Sequence, residues 1–69
     1  MENYKELDRK AIIAYLERKG GIAFVSDIIE HSGANQLRVS PILTELYLDN
    51  RLEVLEETEL GGFVKVRLI

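Results

Sequence analysis

The stretch from Ile22 to Leu52, IAFVSDIIEHSGANQLRVSPILTELYLDNRL, constrains the rest of the chain. Ile22 to Val25 is a run of strand-forming apolar residues, too short to be a helix and placed to pair with a later strand. Ser26 is a good helix N-cap, and Asp27 just inside it suits the positive helix end. The helix SDIIEHSG is barely two turns; it buries Ile28 and Ile29 and stops at Gly33. Ala34 and Asn35 turn the chain, with Asn35 able to cap the helix that follows. From Gln36 to Arg51, Val39, Ile42, Leu43 and Leu46 recur at helical spacing and form a core-facing side. A short strand, a short helix, a tight turn and a longer helix are thus packed into one continuous stretch.

Pro41 is the residue that resists. Inside a helix it removes a backbone hydrogen bond and clashes with the carbonyl four residues earlier, costing roughly 3 kcal/mol. Either Ser40 is the true N-cap and Pro41 the first helical residue, or the helix begins near Gln36 and absorbs the proline. The second is preferred, because Val39 keeps the apolar period of Ile42 and Leu46.

Two flanking segments complete the pattern. Residues 4–19 fit a leading helix, with Tyr4, Leu7, Ala11, Ala14 and Tyr15 on one stripe and Ile12 and Leu16 widening it. Ile13 falls across from that stripe and is expected to be exposed. Gly20 is placed as a left-handed cap. After Leu52, LEVLEETE and FVKVRLI flank Gly61-Gly62 as a hairpin. A three-residue loop, Leu60-Gly61-Gly62, sets Val54 against Leu68, Glu56 against Val66 and Glu57 against Lys65. A two-residue Gly-Gly loop pairs Leu55 with Leu68 and Glu57 with Val66. The first is preferred, since it turns Leu52, Val54, Val66 and Leu68 to the core together. The expected fold is α+β: three helices, a short strand and a C-terminal β-hairpin, in one domain spanning 1–69.

Composition narrows the function. The chain has 69 residues and no cysteine, so disulfides and thiolate metal sites are unavailable, and a cytoplasmic location is the default. No apolar run approaches the roughly 18 residues a membrane span needs, and MENYKELDRK is too polar and acidic for a signal peptide. His31 is the only histidine, with no second one to share a metal, and reads as a surface or half-buried packing residue. There is no nucleophile–base arrangement and no phosphate loop. The expectation is a non-enzyme without cofactor or metal. Net charge is −3, divided as +1 for residues 1–21 and −2 each for 22–52 and 53–69. A nucleic-acid binder usually carries a basic patch, so this balance counts against strong DNA binding by a monomer.

The residues from Val25 to Val54, VSDIIEHSG followed by VSPILTELYLDNRLEVLEE, resemble the winged helix-turn-helix superfamily. Similar patterns occur in MarR-like regulators and in the winged C-terminal module of the DNA-processing protein A family. The resemblance implies a helix reading the major groove of double-stranded DNA and a hairpin wing touching phosphate or the minor groove. Carried onto this chain, the reading positions are Asn35, Gln36, Arg38, Ser40, Pro41 and Thr44, with Arg51, Lys65 and Arg67 adding phosphate contacts. Two features point elsewhere. Leu37, Pro41, Thr44 and Leu48 share an outward stripe of the reading helix, which more often marks a protein contact. Glu56, Glu57 and Glu59 crowd the wing and repel phosphate. Two binding hypotheses follow. The first, preferred on the superfamily resemblance, is a small DNA-binding, transcription-regulator-type module. The alternative, favoured by charge balance and the outer stripe, is a protein-interaction module using Leu37, Pro41, Tyr47, Leu48, Phe63 and Ile13. A homodimer is expected on either, because so small a chain gains from burying outward apolar residues.

Overall fold

The computed structural model describes residues 3–69, so the expected span of 1–69 reaches two residues beyond those described. In order come α1 (Tyr4–Arg18), β1 (Ile22–Phe24), α2 (Val25–His31), α3 (Gln36–Leu48), β2 (Leu52–Glu57) and β3 (Phe63–Leu68). The strands form one antiparallel sheet in the order β1-β3-β2. Three helices, a short strand and a C-terminal hairpin make this the expected α+β architecture, in a winged-helix layout.

The core forms where α1, α3 and the sheet converge. Ile12 and Leu16 of α1, Ile28 of α2, Val39, Ile42, Leu43 and Leu46 of α3, and Leu52 and Val66 of the sheet are essentially inaccessible. Each such side chain contributes roughly 1.5–3 kcal/mol of burial. In α1 the buried side is centred on Ile12 and Leu16, whereas Tyr4, Leu7 and Ala14 of the expected stripe are exposed. The expected stripe was rotated by about one residue step, roughly 100°. Ile13 is a further correction: it is half-buried and packs against the core rather than standing free.

Helix ends follow local chemistry, with one exception. Asn3 caps α1 by accepting the Glu6 N–H at 3.2 Å. Gly20, at φ +76°, ends it: the Gly20 N–H donates to the Glu17 carbonyl and the Gly21 N–H to the Leu16 carbonyl. This is a Schellman closure, as expected of that glycine. Asn50, at φ +59°, closes α3 the same way, with bonds from Asn50 to Tyr47 and from Arg51 to Leu46. The exception is α2, which begins at Val25 with Phe24 at the cap position and no side-chain cap, so Ser26 lies inside the helix. Ile29, expected in the core, is 38% exposed.

Asn35 accepts the Leu37 N–H at 2.9 Å and starts α3 at Gln36. Pro41 is therefore interior, the preferred of the two readings. Asn35→Ala is expected to cost about 1 kcal/mol, read as a lowered urea midpoint with unchanged slope. No loss would mean that the Ala34–Asn35 turn, rather than the side chain, fixes the helix start.

Neither expected hairpin register is found. Leu52 pairs with Leu68, Glu53 with Arg67 and Val54 with Val66, and after a bulge Glu56 pairs with Lys65 and Glu57 with Phe63. The loop is Glu59-Leu60-Gly61, closed by the Gly61 N–H on the Thr58 carbonyl and the Thr58 N–H on the Gly62 carbonyl. The Thr58 hydroxyl accepts the Gly62 N–H at 2.9 Å. Gly61, at φ +86°, takes the left-handed position that such a loop demands. Outside the bulge, Val54 pairs two residues earlier on β3 than the preferred register had it. An even slip preserves faces, so Leu52 and Val66 are buried, with Val54 and Leu68 packed beside them.

Candidate binding face of helix α3 and the wing

The residues expected to meet DNA are exposed in part and engaged in part. Gln36, Ser40 and Thr44 are exposed on α3, and Asn35 is spent on capping. Thr44 donates its hydroxyl to the Ser40 carbonyl at 3.0 Å, which ties it to its own helix. Arg38 does not point to the outer face. Its Nη1 donates to Asp8 Oδ2 of α1 at 3.0 Å, and its guanidinium lies 5.9 Å from the Tyr4 ring centroid. Asp8 is mostly buried and Arg38 half-exposed, so this is a partly desolvated pair that engages the one basic side chain of α3.

The wing is engaged in a similar way. Arg67 pairs with Glu53 directly across the hairpin. Lys65 lies 5.3 Å over the Phe24 ring and stands opposite Glu56, not Glu57 as the expected register had it. Glu57 and Glu59 remain exposed. Two further pairs, Lys5–Glu45 and Arg9–Asp49, join α1 to α3. Among the described residues, Arg51 and Lys65 are the two expected phosphate contacts that form no ion pair.

The apolar candidates are disposed differently. Leu37 is 80% and Leu48 70% exposed, and Pro41 between them is also exposed. Tyr47 is half-exposed and meets Phe63 edge to face, ring centroids 5.6 Å apart. That contact ties α3 to the wing, with Phe63 half-buried against the core. Leu60, which sequence reasoning placed only as loop, is 99% exposed at the hairpin tip. Leu37, Pro41, Thr44, Leu48 and Tyr47 therefore form one surface, from which the core-facing Ile13 is excluded.

Two other features were missed by the sequence reading. A cleft of about 150 Å³ is lined by Tyr15, Lys19, Ile22, Phe24, Asp27 and Lys65. Its residues come from α1, β1, α2 and β3, so no local pattern announces it. Both lysines already lie over aromatic rings, Lys19 at 5.7 Å from Tyr15 and Lys65 on Phe24. On α2, ligand atoms of Asp27, Glu30 and His31 lie within 4.8 Å of one another. Glu30 and His31 are solvated and 3.6 Å apart, an ordinary ion pair on a helix surface when the imidazole is protonated.

The chain matches no family model, no curated protein and no solved structure. Among the described residues no helix is long and apolar enough to cross a membrane. The fold and the exposed α3 face together define a small α+β domain of winged-helix layout, with Leu37, Pro41 and Leu48 exposed on that face beside Gln36, Ser40 and Thr44.

Proposed function

We propose that this chain is a winged-helix binding module that engages a protein through the outer face of α3, and that it binds rather than catalyses. One contrast carries the reading: Leu37 and Leu48 stand 80% and 70% exposed while Arg38, which a groove-reading helix would need, is held by Asp8. Scattered exposed leucines are ordinary, but two on one stripe with an exposed proline between them form a contact surface. The acidic wing agrees, since Glu57 and Glu59 oppose phosphate. Element order supports membership of the winged helix-turn-helix superfamily, and the lack of cysteine supports a cytoplasmic site of action.

DNA binding is the second reading, favoured by the exposed Gln36, Ser40 and Thr44 and by Arg51 and Lys65, which make no ion pair among the described residues. An NMR titration of labelled protein with a random duplex, at low and then higher salt, separates the two. Protein recognition predicts no salt-sensitive shifts over Asn35–Thr44 and Lys65–Arg67. Shifts there that Arg38→Glu with Lys65→Glu abolishes, and Leu37→Asp spares, would make this a DNA module.

A further inference from the structure

Resting on the protein-docking reading, we infer that the occupant of the α3 face is a second copy of this chain, in an antiparallel two-fold pairing of α3 with α3. The stripe is its own complement. Leu37, Pro41, Thr44 and Leu48 are spaced four, three and four residues apart, a palindrome. At 100° per residue they fall within about 60° of the helix circumference, and at 1.5 Å per residue they span about 16 Å. A two-fold axis crossing the helix midway between Ile42 and Leu43 sets Leu37 against the second copy's Leu48, and Pro41 against its Thr44. The bulky residues meet at the two ends and the smaller ones in the middle, where the backbones approach most closely.

Charge follows the same symmetry. Arg38 and Glu45 lie on the α1-facing flank, where each is paired with that helix. The two-fold brings like flanks together with helix direction reversed, so Arg38 of each copy approaches Glu45 of the other. The existing pairs then extend across the two-fold, with each Glu45 between its own Lys5 and the second copy's Arg38. On the other flank, Tyr47 is 47% exposed and meets the equivalent flank of the second copy near Ser40. One helix face with part of a wing covers less than the roughly 800 Å² per partner of a standard interface, which places the dimer in the weak, reversible class.

Sedimentation equilibrium across a concentration series tests this, with Leu37→Asp as the disrupting variant. Leu37 is open to solvent, so the aspartate leaves folding intact, which an unchanged melting curve verifies. In the dimer the carboxylate would be buried against an apolar side chain, and dissociation should rise at least about tenfold. Because the chain has no cysteine, single-cysteine variants report geometry directly. Thr44→Cys should form a disulfide-linked dimer on mild oxidation, and Lys10→Cys on the exposed part of α1 should not. A wild-type chain still monomeric at about 1 mM, the weakest end of the useful affinity scale, would overturn the second copy as occupant. The protein-docking reading would then be judged separately by the DNA titration. A dimer insensitive to Leu37→Asp and cross-linked through Lys10→Cys would place the contact on α1 and overturn the proposal equally.

Discussion

Leu46→Ala is expected to destabilise the domain by about 3 kcal/mol, the middle of the range for emptying a buried leucine site. Leu46 is fully buried on the side of α3 that faces the core. A chain of 69 residues has a net stability of only about 3–10 kcal/mol. One cavity thus removes a third or more of it. The expected signature is a melting temperature lowered by about 12–24 °C, since 1 kcal/mol shifts a domain of this size by about 4–8 °C. Leu48→Ala is the matched control: the same chemical change two residues on, at a side chain 70% exposed. Its effect should lie within about 0.5 kcal/mol. Equal losses at the two sites would show that the outer face is packed in solution, which is what a tight dimer through Leu48 would produce.

The contrast between those two leucines was legible from sequence because a helix of thirteen residues carries its own ruler. Val39, Ile42, Leu43 and Leu46 repeat with one period, so the exposed side follows by subtraction. The leading helix was harder to read, because it is apolar over a wide arc. Ala11, Ile12, Ile13, Ala14, Tyr15 and Leu16 run consecutively and leave the stripe to be placed by its first turns. Those turns extend past the core, so Tyr4 and Leu7 misled where Ile12 and Leu16 informed. The hairpin shows a different limit. Two glycines in succession mark a turn without saying which of them takes the left-handed position. Gly61 takes it, and the loop closes one residue earlier than expected. A bulge at Leu55 then leaves the local pairing unreadable from alternation alone. Faces survived because the slip was even.

The candidate site divides along the same line. The apolar stripe of α3 depends only on helical geometry and was read correctly. Arg38 depends on Asp8, thirty residues earlier and on another helix, and nothing local to either residue announces the pair. The same holds for Arg67 and Glu53, which oppose each other only in the register that was missed. Charge counted along a segment already told against phosphate, and the pairs that engage Arg38 and Arg67 add to it from residues distant in sequence.

Pro41→Ala should raise the stability of the monomer by about 1–3 kcal/mol, one of the few single changes expected to stabilise this fold. Pro41 is the sixth residue of α3, past the first turn in which a missing N–H costs nothing. It leaves the Leu37 carbonyl without its intrahelical donor, and in a helix interior proline lies about 3 kcal/mol below alanine. A helix that bends at an interior proline relieves part of that penalty, which sets the lower bound. Urea unfolding at low protein concentration, where a weak dimer is dissociated, isolates the monomer term. A proline that costs this much on an exposed face is better explained by what the face does than by the fold. It sits at the centre of the self-complementary stripe, opposite the second copy's Thr44 in the proposed pairing. Pro41→Ala should accordingly separate two properties: a more stable monomer that self-associates less well. A variant less stable than wild type would mean that the proline sets the path of α3 over the core, and the stripe would lose its central functional argument.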